Sequence, residues 1–207
     1  DPRVLPALIA ATKDKTLTVV RAAMRTMSKI GDPRALDALP NVLKRPHSCS
    51  FERSIEKWVT SFGQASVPYL INTLGHPKAE ARRRVLRLLD ALKAPERYEV
   101  FIKALGDSDH TVQECAIYRL AVLGDVRAVQ PLLKIMHSDE FDLPLSAAHA
   151  IGRLLGPAAG DHLLPMLRHR AAKVRQGAVR ALQHSCATDP RVAPAIVEML
   201  EDKNLDV

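Results

Sequence analysis

Aromatic side chains are scarce in this chain, at 4% of 207 residues with a single tryptophan, Trp58. Any folded core must therefore be aliphatic, built from Leu, Ile, Val and Ala. Cysteine is scarce too: Cys49, Cys115 and Cys186 are odd in number and far apart. Disulfide frameworks use even, clustered sets and zinc sites use C-x-x-C pairs, so both are excluded and a reducing, cytoplasmic setting is expected. No apolar run approaches the ~18 residues of a membrane span. No charged-then-apolar leader opens the sequence, which starts at Asp1. Hydrophobic residues at 47% and charged residues at 26% exclude a disordered tail and a collagen-like fibre.

What is present is positive charge, unevenly spread. Residues 1–93 hold 17 Lys/Arg against 8 Asp/Glu, a net of +9. Residues 94–207 hold 13 against 15, a net of −2, which leaves the whole chain at +7. All the basic excess lies in the first half.

An apolar pair, or its equivalent, recurs at Leu8-Ile9, Leu39-Pro40, Leu70-Ile71, Phe101-Ile102, Leu132-Leu133 and Leu163-Leu164, each step being 31 residues. A seventh copy, Ile196-Val197, follows after 33. Flanking phrases return with it: DPRVLPALI at Asp1, DPRALDAL at Asp32, DVRAVQPLL at Asp125 and DPRVAPAIV at Asp189. Each unit reads as two amphipathic helices. The first opens on Asp-Pro, a capping residue followed by one that fits the first turn. The second carries apolar residues at spacings of three and four, as in Val112, Ala116, Ile117, Leu120 and Leu123. It stops at glycine in most units (Gly31, Gly63, Gly124, Gly156), the residue suited to a left-handed C-cap, whereas the third unit ends on Lys93.

A two-helix unit of this length cannot bury its own apolar seam, so neighbours must stack. The phrase D-P-R-[AV]-x-x-[AP]-L-[IL], followed by V-R-x-x-A as in Val174 to Leu182, resembles HEAT repeats of the phycobilisome-lyase-like type along the whole chain. The resemblance implies an all-α fold, a right-handed α-α superhelix of the HEAT/armadillo-like solenoid kind, with about six and a half repeats of ~31 residues. We expect one domain over 1–207, with repeats at about 1–31, 32–63, 64–93, 94–124, 125–156, 157–188 and a partial 189–207. The last repeat supplies one helix and the loop EDKNLDV, so the chain is expected to be a fragment of a longer protein.

No GxxxxGK[ST], GxGxxG, HExxH or GxSxG occurs. His47, His76, His110, His137 and His169 fall in or beside loops of successive repeats, and helix pairs 8–10 Å apart cannot share a metal with ~2 Å bonds. They read as solvated loop residues, and the lone cysteines as packing residues. No metal and no cofactor is expected. Among the iron-holding repeat proteins, deoxyhypusine hydroxylases use His-Glu dyads, and no His-Glu dipeptide is present. Trp58 reads as a core or groove-lining residue, and Asp139, Glu140 and Asp142 as a solvated acidic loop.

One feature stands out. Aligning the second helices by their C-terminal ends makes two positions basic in each of the first three repeats: Arg21 and Arg25, Arg53 and Lys57, Arg83 and Arg87. Four-residue spacing puts each pair on one helical face, away from Ala23, Met27, Ile55, Val59, Val85 and Leu89 on the core side. The resemblance implies that second helices line a concave surface, where these six would form a stripe reinforced by Lys29, Arg82 and Arg84. In the later repeats the equivalent residues, such as Glu114, Tyr118 and His149, are not consistently basic. Clustered like charge in a concavity is unfavourable without a partner. The expected function is a non-enzymatic scaffold whose groove binds a protein partner through an acidic or phosphorylated segment. The alternatives are a bilin lyase-type subunit acting on phycobiliproteins, or nucleic-acid-backbone binding, for which the groove has few stacking aromatics.

Overall fold

The 31-residue interval is a burial interval. Leu39, Leu70, Phe101, Leu132 and Leu163 are all 0% exposed in the computed structural model, which describes residues 4–45, 49–136 and 143–198. Around them the chain is helical, with no strand among the described residues. Numbered in chain order, the first helices of successive repeats are α1 (Val4–Ala11), α3 (Leu39–Leu43), α5 (Val67–Thr73), α7 (Arg97–Ala104), α9 (Val129–Met136), α11 (Gly160–Leu163) and α13 (Val192–Glu198). The second helices are α2 (Leu17–Ile30), α4 (Cys49–Thr60), α6 (Ala79–Ala91), α8 (His110–Leu123), α10 (Leu143–Leu155) and α12 (Ala172–Ser185). The second helices are the longer and more regular members.

The first helices are shorter than their apolar pattern, for a covalent reason. Pro40 and Pro68 sit at the second position of α3 and α5 and cannot donate to the carbonyl four residues back. The residues before them wind instead as 3-10 turns, over Pro33–Ala38 and Gly63–Ser66. The Asp of the repeated phrase therefore caps a 3-10 turn and not an α-helix. Asp32 Oδ1 accepts the Arg34 backbone N–H at 2.9 Å while its other oxygen meets Arg34 Nη2 at 2.6 Å. Asp125 with Arg127 and Asp189 with Arg191 repeat that geometry. These hydrogen bonds hold the Asp32, Asp125 and Asp189 carboxyls below the usual carboxylate range.

At the helix ends, Gly31, Gly63, Gly124 and Gly156 all have positive φ, and so does Lys93 at 51°. Gly31 and Gly124 close α2 and α8 by donating to the Met27 and Leu120 carbonyls. Lys93 holds the equivalent left-handed position with a Cβ, a conformation costing an L-residue roughly 1–2 kcal/mol.

The chain divides into two compact units, Asp1–Val100 and Phe101–Val207. In the first, α2, α4 and α6 pack in sequence, α2 on α4 and α4 on α6, with α1 against α2 and α3 and α5 against α6. Ala23, Met27, Ile55, Val59, Val85 and Leu89 are buried there, as the helical wheel requires. In the second unit α10 packs on α8, α9 and α12, and α12 on α11 and α13. Helix α12 comes close to the α10 backbone at Gly177, where an added Cβ would lie 3.0 Å from Leu145 Cα. The acidic residues Asp139, Glu140 and Asp142 and the loop EDKNLDV lie outside the described residues, as do His47 and His137. No helix among the described residues is long and apolar enough to cross a membrane.

Candidate functional site

Packing α2 against α4 aligns their outward residues across a cleft of about 370 Å³. Arg21, Met24, Arg25 and Ser28 line it from α2, and Ser54, Lys57, Trp58 and Ser61 from α4 and the residue just beyond it. Three of the six candidate cations thus converge on one space, and no carboxylate is among the lining residues. Arg25 and Lys57 are exposed. Arg21 is half-buried: its Nη2 donates to Ser50 Oγ at 2.7 Å, and its guanidinium lies 5.7 Å from the centre of the Phe51 ring. Its Nε is buried and, among the described residues, has no hydrogen-bond partner.

Trp58 forms the apolar side of the cleft. It is 2% exposed and meets Phe62 edge-on at 6.5 Å, so it is at once a core and a cleft-lining residue. Its indole Nε1–H is buried and, among the described residues, has no acceptor. Buried donors are almost always satisfied, and each exception requires an explanation. Hydroxyls complete the lining. Ser61 donates to the Trp58 carbonyl at 2.6 Å and lies 3.1 Å from Ser28 Oγ across the cleft.

The other candidate cations are placed differently. Arg53 and Arg87 are exposed and do not line the cleft. Arg83 pairs with Glu80 one turn back at 3.1 Å. Lys29 is exposed. Two of the three residues expected to reinforce the stripe, Arg82 and Arg84, do not belong to it. Arg82 donates to the His76 and Pro77 carbonyls of its own inter-helix loop, as Arg175 does to His169 and Arg170. Arg84 is buried, with ion pairs to Glu52 and Glu80 at 2.9 Å. Sequence reasoning missed the serines and this buried arginine. The signal for the serines was their recurrence near the ends of successive second helices, Ser28 and Ser61 being 33 residues apart.

Among the described residues no group of three or more His, Cys, Asp or Glu could hold a metal ion. His76 and His169 accept backbone N–H groups from Lys78 and Ala171 through Nδ1, so they are loop-ordering residues and not merely solvated ones. The three cysteines are free, Cys49 exposed, Cys115 half-buried and Cys186 buried. Burial pushes the Cys186 thiol up, with Asp189 adding to the effect.

In the second unit the His149 and His184 rings lie 5.9 Å apart. Burial, then His184 and Arg180, lower the pKa of His149. The unfolded chain therefore binds the proton more readily, so stability is greatest above the ordinary histidine value near 6.5 and falls as pH drops through the folded-state value. Thermal melts across this range should show that loss, and His149→Gln should flatten it. A parent melting temperature that does not decline below pH 6.5, the ordinary histidine value, would refute the effect.

Comparison with known proteins places these observations in a family context. A family model for HEAT repeats matches residues 67–152, and one for the PBS lyase HEAT-like repeat matches residues 19–45. The chain is 30% identical over 138 residues to the bilin biosynthesis protein PecE of Mastigocladus laminosus, covering 66% of this chain and 50% of that protein. It is 34% identical over 113 residues to the bilin biosynthesis protein PecE of Nostoc sp. PCC 7120, covering 54% and 44%. The chain thus spans about half the length of the curated relatives it matches. Among solved structures, Kap95p in a study of its binding to RanGDP is similar over 100% of this chain and 33% of its own, at a TM-score of 0.62 and 10% identity. That likeness shows the fold alone, an all-α superhelix of helical-hairpin repeats. The expectation of a non-enzymatic chain is overturned by the two curated relatives, both named for bilin biosynthesis. That expectation rested on missing catalytic motifs, and a repeat array can present a ligand surface without any of those motifs.

Proposed function

We propose, from the premise that the chain belongs to the HEAT-repeat proteins and carries a repeat of the PBS lyase type, that it is a bilin lyase-type subunit acting on phycobiliproteins. The observation that carries this reading is the similarity to two bilin biosynthesis proteins, at 30% and 34% identity over much of the chain. The array holds a bilin on its way to or from a protein acceptor. The acceptor is engaged through an acidic segment, for which Arg53 of α4 and Arg87 of α6 offer exposed guanidinium groups. Arginine engages carboxylates at two points, which favours it for such docking. Three free thiols are in keeping with a reducing, cytoplasmic compartment.

The test is direct. Mixing the purified chain with a free linear tetrapyrrole should shift and sharpen the visible absorption and induce circular dichroism in that band, because a bound chromophore loses conformational freedom and becomes asymmetric. A visible spectrum unchanged by excess protein would refute the proposal.

A further inference from the structure

The α2–α4 cleft has the chemistry of a particular kind of ligand. Arg21, Arg25 and Lys57 bring three positive charges to its walls with no lining carboxylate to neutralise them. Two further donors, Arg21 Nε and Trp58 Nε1, are buried without partners among the described residues and belong to lining residues. Ser28, Ser54 and Ser61 add hydroxyls, while Met24 and Trp58 supply apolar surface. Such a site lacks acceptor oxygens carrying negative charge. Its volume of about 370 Å³ is near the lower end for small-molecule pockets, so it suits one edge of a large ligand.

We infer that this cleft is a dicarboxylate-binding site, and, resting on the bilin reading above, that it takes the paired propionate arms of a linear tetrapyrrole. Arg25 and Lys57, from facing helices, reach the two carboxylates from opposite sides. Arg21 is pre-positioned by Ser50 and the Phe51 ring and needs little ordering on binding. The pyrrole rings emerge past Trp58 and Met24. The site positions the chromophore and leaves its reactive end outside. No bond is made or broken in the cleft.

Trp58 is the chain's single tryptophan, so its emission reports occupancy of the cleft directly. The experiment titrates the protein with biliverdin, with biliverdin dimethyl ester and with glutarate, following Trp58 emission in the parent and in a double variant, Arg25→Gln with Lys57→Gln. Both residues are exposed, so the variant should melt as the parent does. The parent should bind the diacid at least about tenfold more tightly than the ester, the loss expected when charge-assisted hydrogen bonds are removed. The double variant should bind diacid and ester alike, at the weaker level, and glutarate should move Trp58 emission only in the parent. If the parent binds diacid and ester equally, or the variant still discriminates, the carboxylate assignment is overturned while the bilin reading stands. If neither tetrapyrrole binds but glutarate acts on the parent alone, the dicarboxylate site stands and the bilin reading falls. If none of the three moves Trp58, both are overturned.

Discussion

Replacing Leu70 or Leu132 by alanine should each lower the free energy of unfolding by roughly 2–5 kcal/mol, the range for deleting a fully buried leucine. Both side chains are 0% exposed. Leu70 lies in α5, which packs on α3 and α6, and Leu132 in α9, which packs on α10. Truncation forfeits the transfer free energy of the removed methyl groups and leaves a void that the neighbouring helices only partly close. Each repeat is held by those beside it, so the loss should spread to the adjoining hairpin and not stay at the substituted residue. Because repeat arrays can depart from all-or-none unfolding, denaturant titration should be paired with hydrogen exchange to locate the loss. A change below about 1 kcal/mol at both positions would mean that neither leucine is a core residue, since core truncations of this kind cost more.

Arg84→Ala should be comparably damaging to the first unit, by roughly 3–5 kcal/mol, the range for removing one partner of a buried ion pair. At 5% exposure, Arg84 donates to Glu52 Oε1 at 2.9 Å, to the Leu43 carbonyl and to the Arg45 carbonyl at 3.1 Å, and pairs with Glu80 at 2.9 Å. One guanidinium therefore ties α6 to α4 and to the chain leaving α3. The Glu80 contact is the weakest contributor, since Glu80 is 45% exposed and solvent screens it. Alanine withdraws the cation from Glu52 and the donors from the Leu43 and Arg45 carbonyls, and also removes the packed stem. Arg84→Met restores the stem and should recover part of the loss. A double-mutant cycle with Glu52→Gln should then give a coupling between about 0.5 and 3 kcal/mol. A stability within about 1 kcal/mol of the parent for Arg84→Ala would show that the network is not what joins these elements.

The period, the two-helix unit and the buried register were all legible in the chain. Leu39, Leu70, Phe101, Leu132 and Leu163 recur every 31 residues because each must fill an equivalent place in an equivalent hairpin. Asp32, Asp125 and Asp189 recur because a short carboxylate can cap a turn and clasp the Arg two residues on, a purely local interaction. Gly31 and Gly124 mark helix ends because the left-handed conformation is intrinsic to the residue. Such features need only neighbouring residues, so composition and spacing determine them.

Which cations remain available was decided only by tertiary packing. Spacing of four places Arg21, Arg25, Arg53, Lys57, Arg83 and Arg87 on comparable faces, but it says nothing of what stands within reach of a long, flexible side chain. Glu80 takes Arg83, loop carbonyls take Arg82, and the approach of α6 to α4 draws Arg84 inward onto Glu52. The approach of α2 to α4 instead leaves Arg21, Arg25 and Lys57 around a cleft without a carboxylate and buries the Trp58 donor beside them. Helix faces follow from the chain's own geometry. Charge pairing depends on which segments distant in sequence come within about 4 Å, and that distance exists only once the helices have packed.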